Sequence, residues 1–189
     1  MKEIELSKIC YLINKGKTVM RNNAGNIYMV GFTNIENGNI NIKETSKCKL
    51  TNEYMDLKMY DIENLDIILP PITRKNLVIK QLDKLDEASS YNMIYSSRAV
   101  YLRVNSCEYV PEFLYHLLST EKYKRKLLED VYTSGSYIGT YQISIERLKN
   151  FKIPKVSIDK QRRILQKEKE INSAIQDLKK NLSSLYECF

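Results

Sequence analysis

His116 is the only histidine among the 189 residues, and this bounds the chemistry at once. An imidazole-based triad has one candidate, and a multi-histidine metal site has none. In "PEFLYHLLS" it sits beside Phe113 and Leu117, the setting of an ordinary helix residue. The carboxylates Asp83, Asp86 and Glu87 fall in the polar stretch "DKLDEASSYN". Solvated charge is a simpler reading of them than a nuclease centre. "LPPI" at 69–72 lacks the Asp or Asn before Pro-Pro, and the aromatic after it, with which an amino-methyltransferase holds and stacks a target base. No glycine-rich loop follows a first strand to hold S-adenosylmethionine, and no GxxxxGK[ST] is present for ATP. The residues read as non-catalytic, with no cofactor and no metal.

What they offer instead is binding. Reading DNA takes cations for phosphates and polar or planar side chains for base edges. Three stretches carry one or both. "TRKN" supplies Arg74 and Lys75, "SSYNMIYSSR" supplies Tyr91, Tyr95, Ser97 and Arg98, and "TSGSYIGTYQ" supplies Ser134, Gly135, Ser136, Tyr137, Tyr141 and Gln142. Small residues in the last stretch let backbone approach phosphate closely. The competing reading is that the tyrosines complete a core and the loops are merely soluble. A net charge of +7 and a pI of about 9.1 favour a polyanionic partner, nucleic acid first. Part of the lysine excess is also what AT-rich coding would produce. The basic run from Arg147 to Lys169 fits a phosphate-facing or protein-facing junction as well as a solvated surface.

These residues need elements to hold them. "KICYLI" opens the chain and ends at the turn "NKGK". "NIYMVGFTNI" runs into Asn37-Gly38, a hairpin signal. "LDIILPP" predicts a buried strand stopped by prolines, and "NLVIKQL" and "AVYLRV" predict two more. Beyond Val110 the period changes. Pro111 opens a helix carrying Phe113, Leu114, Leu117 and Leu118 on one face. Thr120 is placed to cap a second helix that buries Leu127, Leu128 and Val131. Residues 133–140 read as loop, "SIERLKN" as a short helix and "FKIP" as a strand. The fold class is α+β. The cysteines, Cys10, Cys48, Cys107 and Cys188, match no zinc or redox spacing and suit a reducing compartment. Nothing resembles a signal peptide or a membrane span, so a cytoplasmic location is expected.

The last segment is the most regular. Ile164, Glu168, Ile171, Ile175, Leu178, Leu182, Leu185 and Phe189 alternate spacings of 4 and 3. This is a heptad seam with one polar interruption, Glu168. The remaining faces are polar, and no other helix of comparable length is expected to cover the seam. A large apolar side chain contributes roughly 1.5–3 kcal/mol when fully buried. The seam residues Ile164, Ile171, Ile175, Leu178, Leu182, Leu185 and Phe189 are therefore expected to form an interface with another chain, against the plainer reading of an amphipathic helix folded back on its own domain.

"SGS", "QISIERLKNFKIP" and "IDKQRRIL", followed by a heptad helix, resemble the specificity subunits of Type I restriction–modification systems. The matching positions are Ser134, Gly135, Ser136, Gln142, Ile143, Leu148, Ile153, Pro154, Gln161 and Ile164. "LSKICYLINKGK", "NLDIILPP" and "YVPEFLYHLLST" are similar to the family's domain opening, mid-domain strand and pre-loop helix. The resemblance implies a mixed-sheet target-recognition domain over 1–156 and a conserved-region coiled-coil helix over 157–189. It implies double-stranded DNA, a DNA adenine methyltransferase subunit and a restriction or translocase subunit as partners, and no chemistry in this chain. The family carries two recognition domains and two such helices, whereas this sequence has one of each. A homodimer would supply the second set. At 1.5 Å per residue, residues 158–189 would span about 48 Å, or about 14 base pairs, which suits a bipartite target. The alternative is a non-catalytic adaptor or antirestriction decoy that binds the methyltransferase, or a full specificity subunit, through the helix.

Overall fold

The computed structural model describes residues 2–49, 60–83, 85 and 92–186. Tyr91, Asp86, Glu87, Cys188 and Phe189 lie outside the described residues, as does the side chain of Leu185. The chain divides into two compact units, 1–155 and 156–189.

The first unit is α+β with mixed sheets. Its centre is a four-stranded antiparallel sheet in the order Cys10–Lys15, Val100–Val104, Ile67–Leu69, Lys80–Gln81. The strands "IIL" and "VYLRV" are continuous runs of large residues because both of their faces are covered: every residue of each is buried. A second sheet pairs Asn92–Tyr95 in parallel with Ile27–Val30, which is antiparallel to Ser46–Cys48. Alternate residues of Ile27–Val30 serve two separate clusters. Val30 joins Ile68, Leu82, Met93, Tyr95 and Tyr101, while Ile27 and Met29 join Cys48 and Ile94. Asn37 and Gly38 have φ of 48° and 78°. Positive φ at both central residues is the twist that a two-residue hairpin requires, and it pairs Ile35–Glu36 with Asn39–Ile40.

Among the described residues of this unit there are four α-helices: α1 (Leu6–Ile9), α2 (Pro111–Ser119), α3 (Glu121–Asp130) and α4 (Ile145–Lys149). Pro111 stands in the first turn of α2, and Phe113, Leu114 and Leu118 are buried. Leu117 and Leu128 are half-buried, and His116 is exposed. The Ser144 hydroxyl accepts from the Arg147 N–H and caps α4. Thr120 corrects the sequence reading. It occupies the capping position of α3, but its hydroxyl turns back and donates to the Leu117 carbonyl at 2.8 Å. It therefore closes α2 rather than opening α3. The 133–140 segment is also not simply a loop, because Tyr132–Ser134 and Tyr141–Ile143 pair as a hairpin, with Ile72–Thr73 added as a third strand. Finally, Glu3–Glu5 pairs antiparallel with Lys152–Pro154.

The second unit is one helix, α5 (Ile158–Tyr186). Asp159 in its first turn complements the positive end of the helix dipole. The Gln161 side chain donates to the Val156 carbonyl at 2.8 Å, pinning the entry to the helix. Ile164, Ile171, Ile175, Leu178 and Leu182 are exposed, from 41% at Ile164 to 68% at Leu178.

Candidate nucleic-acid interface

Two of the three sequence-predicted stretches come together. In the hairpin sheet, Tyr141 stands opposite Thr73 and Gln142 opposite Ile72. Arg74 and Lys75 follow directly and are exposed. The register puts Thr133, Gln142 and Ile72 side by side on one face, with Ser134, Tyr141 and Thr73 on the other. Thr133, Gln142 and Ile72 are exposed. Tyr132 anchors the base of the hairpin: it is buried, and its hydroxyl donates to the Pro70 carbonyl at 2.7 Å. Burial raises its pKa and so keeps the phenol neutral as a donor.

Beside the hairpin lies an open groove of about 570 Å³ lined by Lys75, Arg125, Leu128, Glu129, Tyr132, Thr133, Ser134 and Tyr141. Arg125 was missed by sequence reasoning. The signal was present: 125, 128, 129 and 132 follow helical spacing, so one face of α3 and its exit form one wall. The groove holds two cations against one carboxylate, with two phenols and two hydroxyls among them. Such a surface can neutralise phosphate and offer hydrogen bonds to base edges or sugar. A second groove, of about 460 Å³, is lined by Lys126, Arg147 and Lys152 together with Asp130, Ser144, Glu146, Asn150 and Phe151. Part of the basic run noted in the sequence is therefore balanced locally by acid.

The third stretch divides. Tyr95 is fully buried. Its ring stacks on Tyr101 with centroids 4.3 Å apart, and its hydroxyl donates to Asp66 Oδ2 at 3.0 Å. It is a core residue and not a DNA contact, because its neighbours in the parallel strand pair and the Asp66 carboxylate already satisfy it. Ser97 and Arg98 lie in the turn that follows. The Ser97 N–H donates to the Lys17 carbonyl, and the Arg98 carbonyl accepts from the Phe32 N–H. Ser97 is half-buried and Arg98 is exposed, on a turn distinct from the hairpin.

Asp66 forms a buried ion pair with Arg103, and the cluster reaches the surface at Glu63. Arg103 Nε lies 3.0 Å from Asp66 Oδ1, and Arg103 Nη1 lies 2.9 Å from Glu63 Oε1. Arg103 also donates to the Asp61 carbonyl. Burial pushes the Asp66 carboxyl up to about 6, against the opposing pull of Arg103. Leu65 is held at φ 64° by bonds to Leu82 and from Gln81, which turns Asp66 inward. A register shift between Arg103 and Val104 leaves Tyr11 as the extra residue of a bulge. Its hydroxyl donates to Glu63 Oε2 at 2.8 Å. The cluster has the character of a structural core. Among the described residues, no group of three or more His, Cys, Asp or Glu side chains could hold a metal, and no helix is long and apolar enough to cross a membrane.

Comparison with solved structures matches nearly the whole chain. The S subunit of a Type-I restriction-modification system from M. genitalium aligns over 94% of it, with a TM-score of 0.53 and 12% identity. The HsdS subunit from Thermoanaerobacter tengcongensis aligns over 95%, with a TM-score of 0.59 and 16% identity. The fold is that of a Type I restriction–modification specificity subunit. A chain from a structure concerned with complex assembly and conformational transition of the type I R-M system shares this specificity-subunit fold, with a TM-score of 0.62 and 16% identity over 95% of the chain. The present chain spans 40–44% of the length of these three. No family model matches the sequence, and no curated protein matches it.

Proposed function

We propose that this chain is a non-catalytic DNA-recognition subunit, equivalent to half of a Type I specificity subunit, that directs an adenine methyltransferase to a bipartite target. The observation that carries the reading is the hairpin sheet with its cationic groove, set in a specificity-subunit fold. Residues 1–156 act as the target-recognition domain, with Arg74, Lys75, Ser134, Gly135, Ser136, Tyr137, Tyr141 and Gln142 at the DNA and Arg98 on a second turn. Residues 157–189 act as the dimerisation helix and spacer. A restriction or translocase subunit joins through the methyltransferase complex, in the cytoplasm.

The exposed seam of α5 supports pairing with a second copy. Glu168 argues for antiparallel pairing. In a parallel dimer the same heptad layer would bring Glu168 against Glu168, two like charges in an apolar seam. Reversing one helix sets Glu168 against an apolar layer. The 29 residues of α5 correspond to about 44 Å of helix, or about 13 base pairs, between two recognition domains. A two-fold protein reads a two-fold site.

The test is selection of duplexes by the intact chain from a randomised library. Two inverted half-motifs separated by a fixed spacer are expected, with affinity falling steeply as salt rises. Ile175→Pro should yield a monomer on a sizing column and reduce the selected motif to one half. An undivided asymmetric motif, or a proline variant that still elutes as a dimer, overturns the homodimer reading. Absence of any sequence preference, alongside retained binding to a methyltransferase subunit, would make the chain an adaptor.

A further inference from the structure

The apex of the hairpin is apolar, fully exposed and held in place. Ile138 is 107% exposed and Tyr137 77% exposed. The turn that carries them is tightly bonded. The Tyr137 carbonyl accepts from the Thr140 N–H at 3.1 Å and from the Thr140 hydroxyl at 2.7 Å. The Gly135 N–H donates to the Thr140 carbonyl at 2.8 Å. Gly139 takes φ 73°, the left-handed geometry that a side chain disfavours, and closes the turn one residue after Ile138. Three hydrogen bonds and a glycine thus hold an isoleucine out in water at the tip of an arm. Cations flank the arm: Arg74 follows the strand paired with Tyr141, and Lys75 and Arg125 line the groove at Ser134 and Tyr141.

We infer that the Tyr137–Ile138 apex is a wedge that enters a groove of duplex DNA and partly unstacks one base step, while Arg74, Lys75 and Arg125 hold the flanking phosphates. The inference rests on the DNA-recognition reading above and adds a mode to it. Apolar wedges of this kind open a step at the cost of stacking, and the bend that results brings more protein surface onto the duplex. Flexible pyrimidine–purine steps are the least costly to open. The arm therefore reads deformability at the wedge position, while polar contacts read base edges elsewhere. An apolar wedge releases no counterions, so its contribution is independent of salt, unlike that of the three cations.

The experiment uses the intact chain and the duplex it selects from a randomised library, with 2-aminopurine placed at each purine in turn. Binding should raise fluorescence about threefold or more at one step and leave the other positions near baseline, the mark of local unstacking. Ile138→Ser should abolish the rise and weaken binding about tenfold with an unchanged salt slope. Ile138→Leu should restore both. Arg74→Ala should instead lower the slope of log affinity against log salt by about one. Ile138 packs against nothing it would leave unfilled, so the serine variant stays folded, which circular dichroism checks. If wild-type protein binds without any fluorescence rise, or the serine variant keeps it, the wedge is overturned and the DNA reading stands. If no duplex is enriched, the DNA reading falls and the wedge with it.

Discussion

Tyr95 and Tyr137 stand in stretches of nearly the same composition, yet one is sealed in the core and the other projects into solvent. "MIYSSR" and "TSGSYIG" both join tyrosine to serines, the first with Arg98 at its end. The difference is in what surrounds them. Tyr95 closes a parallel strand pair and meets Asp66, a buried carboxylate that needs donors. Tyr137 sits at a turn whose hydrogen bonds are all made by backbone and Thr140, so its ring has no role in the fold. Aromatic and polar composition marks a region as rich in contacts. Whether those contacts are internal or external depends on whether a buried charge nearby has to be satisfied.

That contrast can be broken experimentally. The largest effect should come from Arg103→Ala, which strips Asp66 of its partner inside the core. A loss of about 3–5 kcal/mol in urea unfolding is expected, as for other broken buried pairs. A loss below about 1 kcal/mol would mean the pair is not what holds Tyr95 in place.

The next effect is one of pH. The folded state binds the Asp66 proton more tightly than the unfolded chain, because burial raises the carboxyl from 3.8 to about 6. Its stabilising contribution is therefore complete below about pH 4 and lost as pH rises through about 6. Between pH 4 and 7.5 the unfolding free energy of wild type should fall by roughly 2–3 kcal/mol more than that of Asp66→Asn, which has no proton to exchange. Parallel pH profiles for the two proteins would place the Asp66 carboxyl at its ordinary value.

The smallest effects sharpen the comparison most. Tyr95→Phe removes one donor from Asp66 and should cost about 1–2 kcal/mol with DNA binding unchanged. Tyr137→Ala should shift stability by less than about 0.5 kcal/mol and weaken DNA binding. The reverse pattern would exchange the roles assigned to the two tyrosines.

Much of the local architecture was legible because it obeys local rules. Asn37-Gly38 signalled a hairpin, Pro111 opened a helix, "SIERLKN" read as a short helix, and "LDIILPP" read as a buried strand ended by prolines. The specificity-subunit fold was also legible, from the order of motifs rather than from any one of them. What escaped was non-local. Nothing near Arg103 in sequence indicates that it meets Asp66, 37 positions away, so "AVYLRV" read only as a strand. Thr120 was read as the cap of α3, but its hydroxyl bonds the Leu117 carbonyl and closes α2. Residues 133–140 read as loop because each arm of the hairpin is only three residues long, too short for strand periodicity to show. Arg125 was overlooked because α3 was read for its buried face alone.

The pairing of Glu3–Glu5 with Lys152–Pro154 brings the way into the globular unit alongside the way out, a separation of about 4.8 Å. A unit fastened at its own threshold can be lifted from one chain and set into another through two neighbouring splice points, with nothing downstream re-threaded. Such a module can be transplanted as a whole block without redesigning its surface.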